Sequence, residues 1–401
     1  MLSFAIALAL SAAQAPATTP PAPPANPAIA RAATYEQLYR DTGNAALLWL
    51  IAMAHAEGGQ DAEAIAALER VAGRKLGFVV TPDSPLSRLT GKPKFDQLAA
   101  QLQREYQIVR KGHVVATIAW PGLVPEGIAS DPRTKRLFVG DMAGKTVLTL
   151  KPGGKARRFA STGRLRPLGM KVDRDRGLLW VAATGAFIKS DKPENALLGF
   201  DLATGALKQS HSSPEMKSVN DLAVAPNGDI YMTDSLGGAL FRLKRGTAKI
   251  ERIAPDARMS YANGVAVSGD GKSVYVAQGV AFRRIDAASG AVTTVTQPAD
   301  VALLSIDGLY WHKGSLSGVQ NNGNPGRVLR WRLSADGSAI TGHDVLEAGN
   351  PDFDIPTTAT VLGNRLILIA NSQLTRLGDD GAITKGPPLK PIKLMEIAIP
   401  R

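Results

Sequence analysis

Six segments after residue 112 share one phase, and this repeat limits the possible folds more than any other feature of the chain. They read VPEGIASDPRTKRLFVGD, RPLGMKVDRDRGLLWVAA, SVNDLAVAPNGDIYMTDS, YANGVAVSGDGKSVYVAQ, SIDGLYWHKGSLSGVQNN and DIPTTATVLGNRLILIAN. Each opens on a polar or turn residue and runs through a short apolar strand. Each then turns at a Gly, Asp or Asn cluster and returns as a β-branched or aromatic strand. Aligned on Glu126, Leu168, Asn220, Asn263, Asp307 and Thr357, the repeats are 42, 52, 43, 44 and 50 residues apart. A period of about 40–50 residues with about four strands in each is that of propeller blades. The sequence therefore predicts an all-β, six-bladed β-propeller over residues 112–401. No Gly-His or Trp-Asp pairs mark a WD40 ring, and no helical runs separate the strands as a parallel sheet requires. HVVATIAW at 113–120 and PIKLMEIAI at 391–399 both read as strands, and pairing them in one blade would close the ring and remove its open edges.

Composition supports many tight turns and narrows the chemistry. The 401 residues include 40 Gly and 26 Pro, with no Cys, which excludes disulfides, thiolate-bound metal, iron–sulfur clusters and thiol catalysis. Any metal must be held by oxygen or nitrogen. The net charge of +12 lies mostly beyond residue 111, with RTKR at 133–136 and KARR at 155–158. No aromatic-interleaved stripe, helix-turn-helix or RNP pattern accompanies it, so it reads as a solvated basic face and not as a nucleic-acid site.

The first 111 residues divide in three. Residues 1–15 contain the apolar run LSFAIALALSAA followed by small residues, the pattern of a signal peptide and too short to span a membrane as a helix. It predicts a periplasmic or secreted protein. Residues 16–33 are a Pro-rich linker. Residues 34–111 are helical in pattern, and LLWLIAMAHAEGGQDAEAIAALERV at 47–71 resembles a single tetratricopeptide unit, with Leu48, Ile51, Ala52 and His55 on the packing face of its first helix and Ala64, Leu68 and Val71 on its second. One unit cannot form a solenoid, so the segment is expected to cap the propeller, His55 packing within it. An arm offering a protein contact is the other reading of this segment.

The repeat anchors carry the candidate chemistry. Glu126, Asn220, Asn263 and Asp307 are two carboxylates and two amides at one phase, and inner-strand residues of different blades converge on a propeller's axis. Such hard oxygen donors suit one divalent cation, Ca²⁺ first, with Zn²⁺ or Mn²⁺ tolerated. PEG at 125–127, VND at 219–221, ANG at 262–264 and IDG at 306–308 resemble the metal-binding pattern of the SMP-30/gluconolactonase/LRE-like family, which includes regucalcin, and the likeness extends over residues 118 to about 390. The resemblance implies a six-bladed propeller with a cation in its axial tunnel, often a lactonase. It implies Glu126, Asn263 and Asp307 as ligands, with Asn220 as a looser ligand or a substrate contact beside Asp221.

An exported metal-dependent hydrolase of lactones or related esters is the function expected from this set. Asp307 would act as general base or as nucleophile, and the sequence does not choose between them. Phe187, Tyr261, Tyr310, Trp311 and His312 are candidates to wall the pocket, and Thr357, Asn371 and Gln373 to face the channel in the last blade. The family's sugar lactonases typically carry Arg two residues before the Asn of the Asn-Asp pair, where this chain has Ser218, so a less hydroxylated lactone or an aryl ester is the expected substrate. The alternatives are a non-catalytic metal-binding propeller that recruits a protein or ligand, and a strictosidine-synthase-like enzyme. GDGKS at 269–273 ends like a P-loop but lacks its first Gly and lies between strands, so it reads as a hairpin turn.

Overall fold

The computed structural model describes residues 26–185, 194–321, 325–378 and 380–400. Twenty-four strands form six four-stranded antiparallel sheets, the blades of a closed propeller. In blades I to V the innermost strand comes first in sequence: Pro125–Asp131, Arg166–Asp173, Val219–Val224, Ala262–Val267 and Ile306–His312. Blade VI is closed by both ends of the ring. Its inner strand Ala359–Val361 leads through Arg365–Ile369 to Ile392–Ala398, and the outermost position is filled by His113–Ile118, paired Val114 to Met395 and Ile118 to Ile392. The alternating and near-continuous apolar strands bury their side chains between neighbouring blades, with Phe138, Trp180, Tyr231, Tyr275 and Trp331 each almost fully enclosed. The segment GDGKS is the turn between the first two strands of blade IV, its Asp270 accepting from Ser268 Oγ at 2.6 Å.

Among the described residues four α-helices precede the ring: α1 (Pro27–Thr42), α2 (Ala46–Glu57), α3 (Asp61–Val71) and α4 (Pro93–Glu105). Helix α1 begins inside the stretch read as linker to residue 33. Asn26 accepts the Ala28 N–H at 2.9 Å as N-cap, and Pro27 follows at the first helical position, where its missing N–H has no cost. Helix α2 is apolar on every side and is buried among its neighbours, with Trp49 stacked on Phe78 at 5.0 Å. His55 is half-buried, and its Nδ1 lies 2.8 Å from Gln60 Oε1.

The helices share a core with the ring. Ala302 and Leu304, on the segment leading into the inner strand of blade V, pack with Leu47, Leu48 and Trp49. Asn44 donates to Val280 O and accepts from Gln297 Nε2 at 2.9 Å. Both contacts lie at the end of the ring where the inner strands begin, so the helices cover the face that carries the repeat anchors. Among the described residues no helix is long and apolar enough to cross a membrane.

Candidate functional site

Five of the six anchors aligned in sequence are β-bulge residues in the structure, Thr357 lying just before its strand. On the inner strand of blade I the pairing steps from Pro125–Asp141 to Ile128–Val139, so Glu126 and Gly127 face a single residue of the neighbouring strand. The same extra residue occurs at Leu168–Gly169, Asn220–Asp221, Asn263–Gly264 and Asp307–Gly308. A bulge bends its strand and re-aims a side chain, here at the cap-side mouth of the axial tunnel. The residue after the anchor is glycine in four of these five; at Gly127, Gly169 and Gly264 the next blade leaves no room for a Cβ, and at Gly308 the Tyr310 hydroxyl leaves none. A Cβ on Gly264 would overlap the Asp307 carbonyl oxygen. In blade III the place is taken by Asp221, whose carboxylate accepts the Leu222 N–H at 2.8 Å and the Val265 N–H of the next blade at 3.2 Å.

Three inner strands are entered through a left-handed residue two before the anchor: Tyr261, Ser305 and Ile355, with φ of 57°, 51° and 53°. This conformation is costly for a β-branched side chain such as Ile355. In blades I, III and V the residue two before the anchor accepts a bond from the residue after the second strand. Met142 N donates to Val124 O, Ser235 N to Ser218 O and Asn321 N to Ser305 O. That residue therefore lies beside its blade's anchor. Asn321 donates through Nδ2 to Asp307 Oδ2 at 2.6 Å, and Asn220 donates through Nδ2 to Ser235 Oγ at 2.8 Å.

Electrostatically the cluster is acidic and dry. Burial pushes the Glu126 carboxyl well above the usual range, with Asp307 and Asp221 adding to the rise and Lys171 opposing it. Asp307 is raised to about 6, chiefly by burial, while amide hydrogen bonds from Asn263 and Asn321 pull the other way. Asp221 is raised by burial against the pull of Lys171, whose Nζ lies 3.9 Å from its Oδ1. Lys171 also sits 5.1 Å from the ring centre of Tyr310, so a lysine from blade II meets a tyrosine from blade V across the tunnel below the anchors. Two oxygens in the cluster, Glu126 Oε2 and Asn263 Oδ1, are buried without a hydrogen-bond partner.

Several residues expected at the site lie elsewhere. Trp311 is four residues along its strand from Asp307, ~13 Å away at strand rise, and stacks on Tyr275. His312 is beyond it, 3.2 Å from Asn364 Oδ1. Asn371 and Gln373 spend their amides on Pro391, Lys393 and Lys390, tying down the segment that crosses the mouth. Ser218 is 2% exposed. Leu168 is packed with Val124, Met142 and Leu377 of that crossing segment. Thr357 donates to Glu126 O at 3.0 Å and joins blade VI to blade I. Asn220, Tyr261 and Asn263 remain half-buried, so the mouth opens on blades III and IV. Phe187 and residues 1–15 lie outside the described residues. Among the described residues no three His, Asp or Glu side chains are grouped to hold a metal; the cluster's donors are two carboxylates supplemented by amides.

Lys171, Arg166 and Asn321 were missed by the sequence reading. Lys171 had a signal, because three residues past each anchor the chain has Ala129, Lys171, Ala223, Ala266, Tyr310 and Thr360, and only the two that meet across the tunnel are large. Arg166, two before the anchor of blade II, is buried and donates to Met142 O and Gly381 O at 3.0 and 3.3 Å.

Residues 124–309 match the family model described as the SMP-30/Gluconolactonase/LRE-like region, a span that includes every anchor from Glu126 to Asp307. Over that span the propeller is similar to the SMP-30/gluconolactonase/LRE-like region. Among solved structures, a streptogramin B lyase is 14% identical with a TM-score of 0.50, over 72% of this chain and 97% of that one. A gluconolactonase from Xanthomonas campestris is 18% identical with a TM-score of 0.48, over 73% and 96%. A calcium-binding regucalcin from Agrobacterium tumefaciens is 16% identical with a TM-score of 0.49, over 72% and 95%. At these identities the likeness is one of fold. No curated protein sequence matches the chain. The SMP-30/gluconolactonase/LRE-like match ends just after the Asp307 bulge, and the cap lies outside it.

Proposed function

We propose that this chain is a divalent-cation-dependent hydrolase that opens small lactones or cleaves related esters at the Glu126–Asn263–Asp307 cluster. The observation that carries the reading is the pair of partnerless buried oxygens, Glu126 Oε2 and Asn263 Oδ1, beside a carboxyl held by two amides. Buried oxygens without a donor are rare unless something else binds them. An oxygen-only set with two carboxylates suits Ca²⁺, with Mn²⁺ or Zn²⁺ tolerated. Glu126, Asn263 and Asp307 would hold the ion, with Asn220 at the open side. A cation bound there supplies stabilisation of the negative charge that grows on a carbonyl oxygen during acyl transfer.

The remaining work falls to the protein. Asp307 takes the proton of the attacking water or attacks the acyl carbon itself, and the Asn321 amide fixes its carboxylate in either role. Lys171 and Tyr310 close the tunnel beneath, so substrate enters past Asn220 and Tyr261. At this entrance the chain offers the aromatic side chain of Tyr261, while Arg166 is already engaged with backbone carbonyls. Weakly hydroxylated lactones or aryl esters therefore fit better than sugar lactones.

Hydrolysis of gluconolactone, a plain aliphatic lactone and phenyl acetate, each with and without chelator, tests the proposal. Turnover lost with chelator and restored by Ca²⁺ is expected, fastest on a less hydroxylated substrate. A lead for gluconolactone overturns the substrate class. No turnover by folded, Ca²⁺-loaded protein overturns the hydrolase and leaves a binding propeller. The reading also has the chain exported, on the apolar run at residues 2–13. Cell fractionation is expected to find it outside the cytoplasm with its first 15 or so residues removed, and full-length protein in the cytosol would oppose this.

A further inference from the structure

A cleft of about 760 Å³ lies where the cap meets the outer part of blade V, away from the tunnel, lined by Lys75, Gly77, Arg104, Tyr106, Arg327 and His343 among others. Arg327 forms its floor and is 4% exposed. Its Nε and Nη2 donate to Gln320 Oε1, a neutral partner, and no Asp or Glu among the described residues lies within 4 Å of it. An enclosed guanidinium without a counter-charge is unfavourable unless an anion completes it. The backbone of the cap is shaped around this group. Gly77 has φ 78°, and a Cβ there would overlap Arg327 Nη1, so the chain passes directly over the guanidinium only because no side chain is present.

The rim repeats the sign of the floor. Lys75 and Arg104 are exposed at the cleft and have no ion-pair partner among the described residues. The one lining carboxylate among the described residues, Glu105, accepts through Oε1 from Gly73 N at 2.8 Å and from Gln101 Nε2 at 2.7 Å, while its Oε2 is buried without a partner. Three cations from two parts of the chain thus converge on one cavity against a single carboxylate, an excess of positive charge.

We propose that this cleft binds a small oxyanion, a carboxylate or phosphate group, between Arg327 of the propeller and Lys75 and Arg104 of the cap. Guanidinium and ammonium groups recognise both chemistries through charge-assisted hydrogen bonds. A ligand there would bridge cap and ring, so it would stabilise their docking as well as bind.

The test is calorimetric titration of the full chain with citrate and with inorganic phosphate at matched ionic strength, alongside thermal unfolding. Saturable binding of at least one probe is expected, with a raised Tm. In the Lys75→Ala/Arg104→Ala double variant, whose altered side chains are exposed and leave the fold intact, the affinity should fall roughly tenfold or more. Citrate binding over phosphate identifies an organic acid as the ligand class, and the reverse order a phosphate. Absence of saturable binding by both probes overturns the proposal, and so does unchanged affinity in the double variant. Arg327→Met serves as a second variant if it folds, and should abolish the Tm shift.

Discussion

Glu126, Asp221 and Asp307 set three buried carboxyls against one ammonium, Lys171, and the consequences can be followed with pH. Asp307 titrates near 6 in the folded chain, against 3.8 for the free side chain. A carboxyl that holds its proton more tightly when folded favours folding while it is protonated, and this contribution is lost as pH rises through the folded value. Metal-free protein is therefore expected to lose thermal stability between about pH 4 and pH 7, with Glu126 acting in the same direction. Calcium should restore stability at pH 7, where the carboxylates are free to bind it. Unfolding scans in chelator check this, and Asp307→Asn should flatten the profile; a wild-type profile that rises over that range would contradict the account. Among the described residues Lys171 supplies the only nearby countercharge to Asp221. Lys171→Met should cost about 1–2 kcal/mol at pH 7, since the pair is 3.9 Å apart and the lysine is partly exposed. Urea denaturation measures it, and the cost should shrink as the pH falls and Asp221, whose carboxyl burial pushes up, takes its proton.

At the scale of the strand, the bulge converts a sequence repeat into a site. In five of the blades the inner strand uses one extra residue to turn the anchor toward the axis, and at Gly127, Gly169 and Gly264 the next blade passes close at the following position. Gly264→Ala should therefore destabilise the ring by about 2–4 kcal/mol, the range of a forced backbone clash, with a loss of metal binding because the Asp307 strand is displaced. A variant with unchanged midpoint in denaturant and full calcium occupancy would show that blades IV and V are less tightly apposed.

The anchor phase was legible because strand, turn and return strand recur in order, and the phase picks out residues that fold into one ring. What the phase does not carry is which neighbour holds each anchor. Asn321 reaches Asp307 through a backbone corner at Ser305 that has no composition signal. Trp311 was read as a pocket wall because it is near Asp307 in sequence, but strand rise carries it to the far end of the blade. The start of α1 was obscured by the prolines before it, although Asn26 followed by Pro27 is a helix-start signal in its own right.

For the molecule as a whole, the cap and the ring cannot be treated as separate units. Ala302 and Leu304 sit in the helical core, Asn44 bonds Val280 and Gln297, Val109 pairs with Ala348, and Glu347 accepts the N–H groups of Lys111 and Gly112 at 2.8 Å each. Closure of the ring depends only on His113–Ile118 and the strands after it, and the proposed cation cluster draws all its side chains from residues beyond 125. A chain beginning at residue 112 should therefore still fold into a six-bladed propeller and take up a divalent cation. It should be less soluble, because the apolar surface around Ala302 and Leu304 is uncovered, and it should have a lower Tm. The segment that carries Ala302 and Leu304 also leads into the Asp307 strand, with Gln320 Nε2 bonding Leu304 O at 2.6 Å. Loosening it should weaken the hold on Asp307, so calcium affinity is expected to fall by about tenfold without vanishing. Calorimetric titration of the truncated and full chains measures this. Equal affinities would show that the cap only covers the ring, and a complete loss in a monomeric, β-rich truncation would make the cap part of the site.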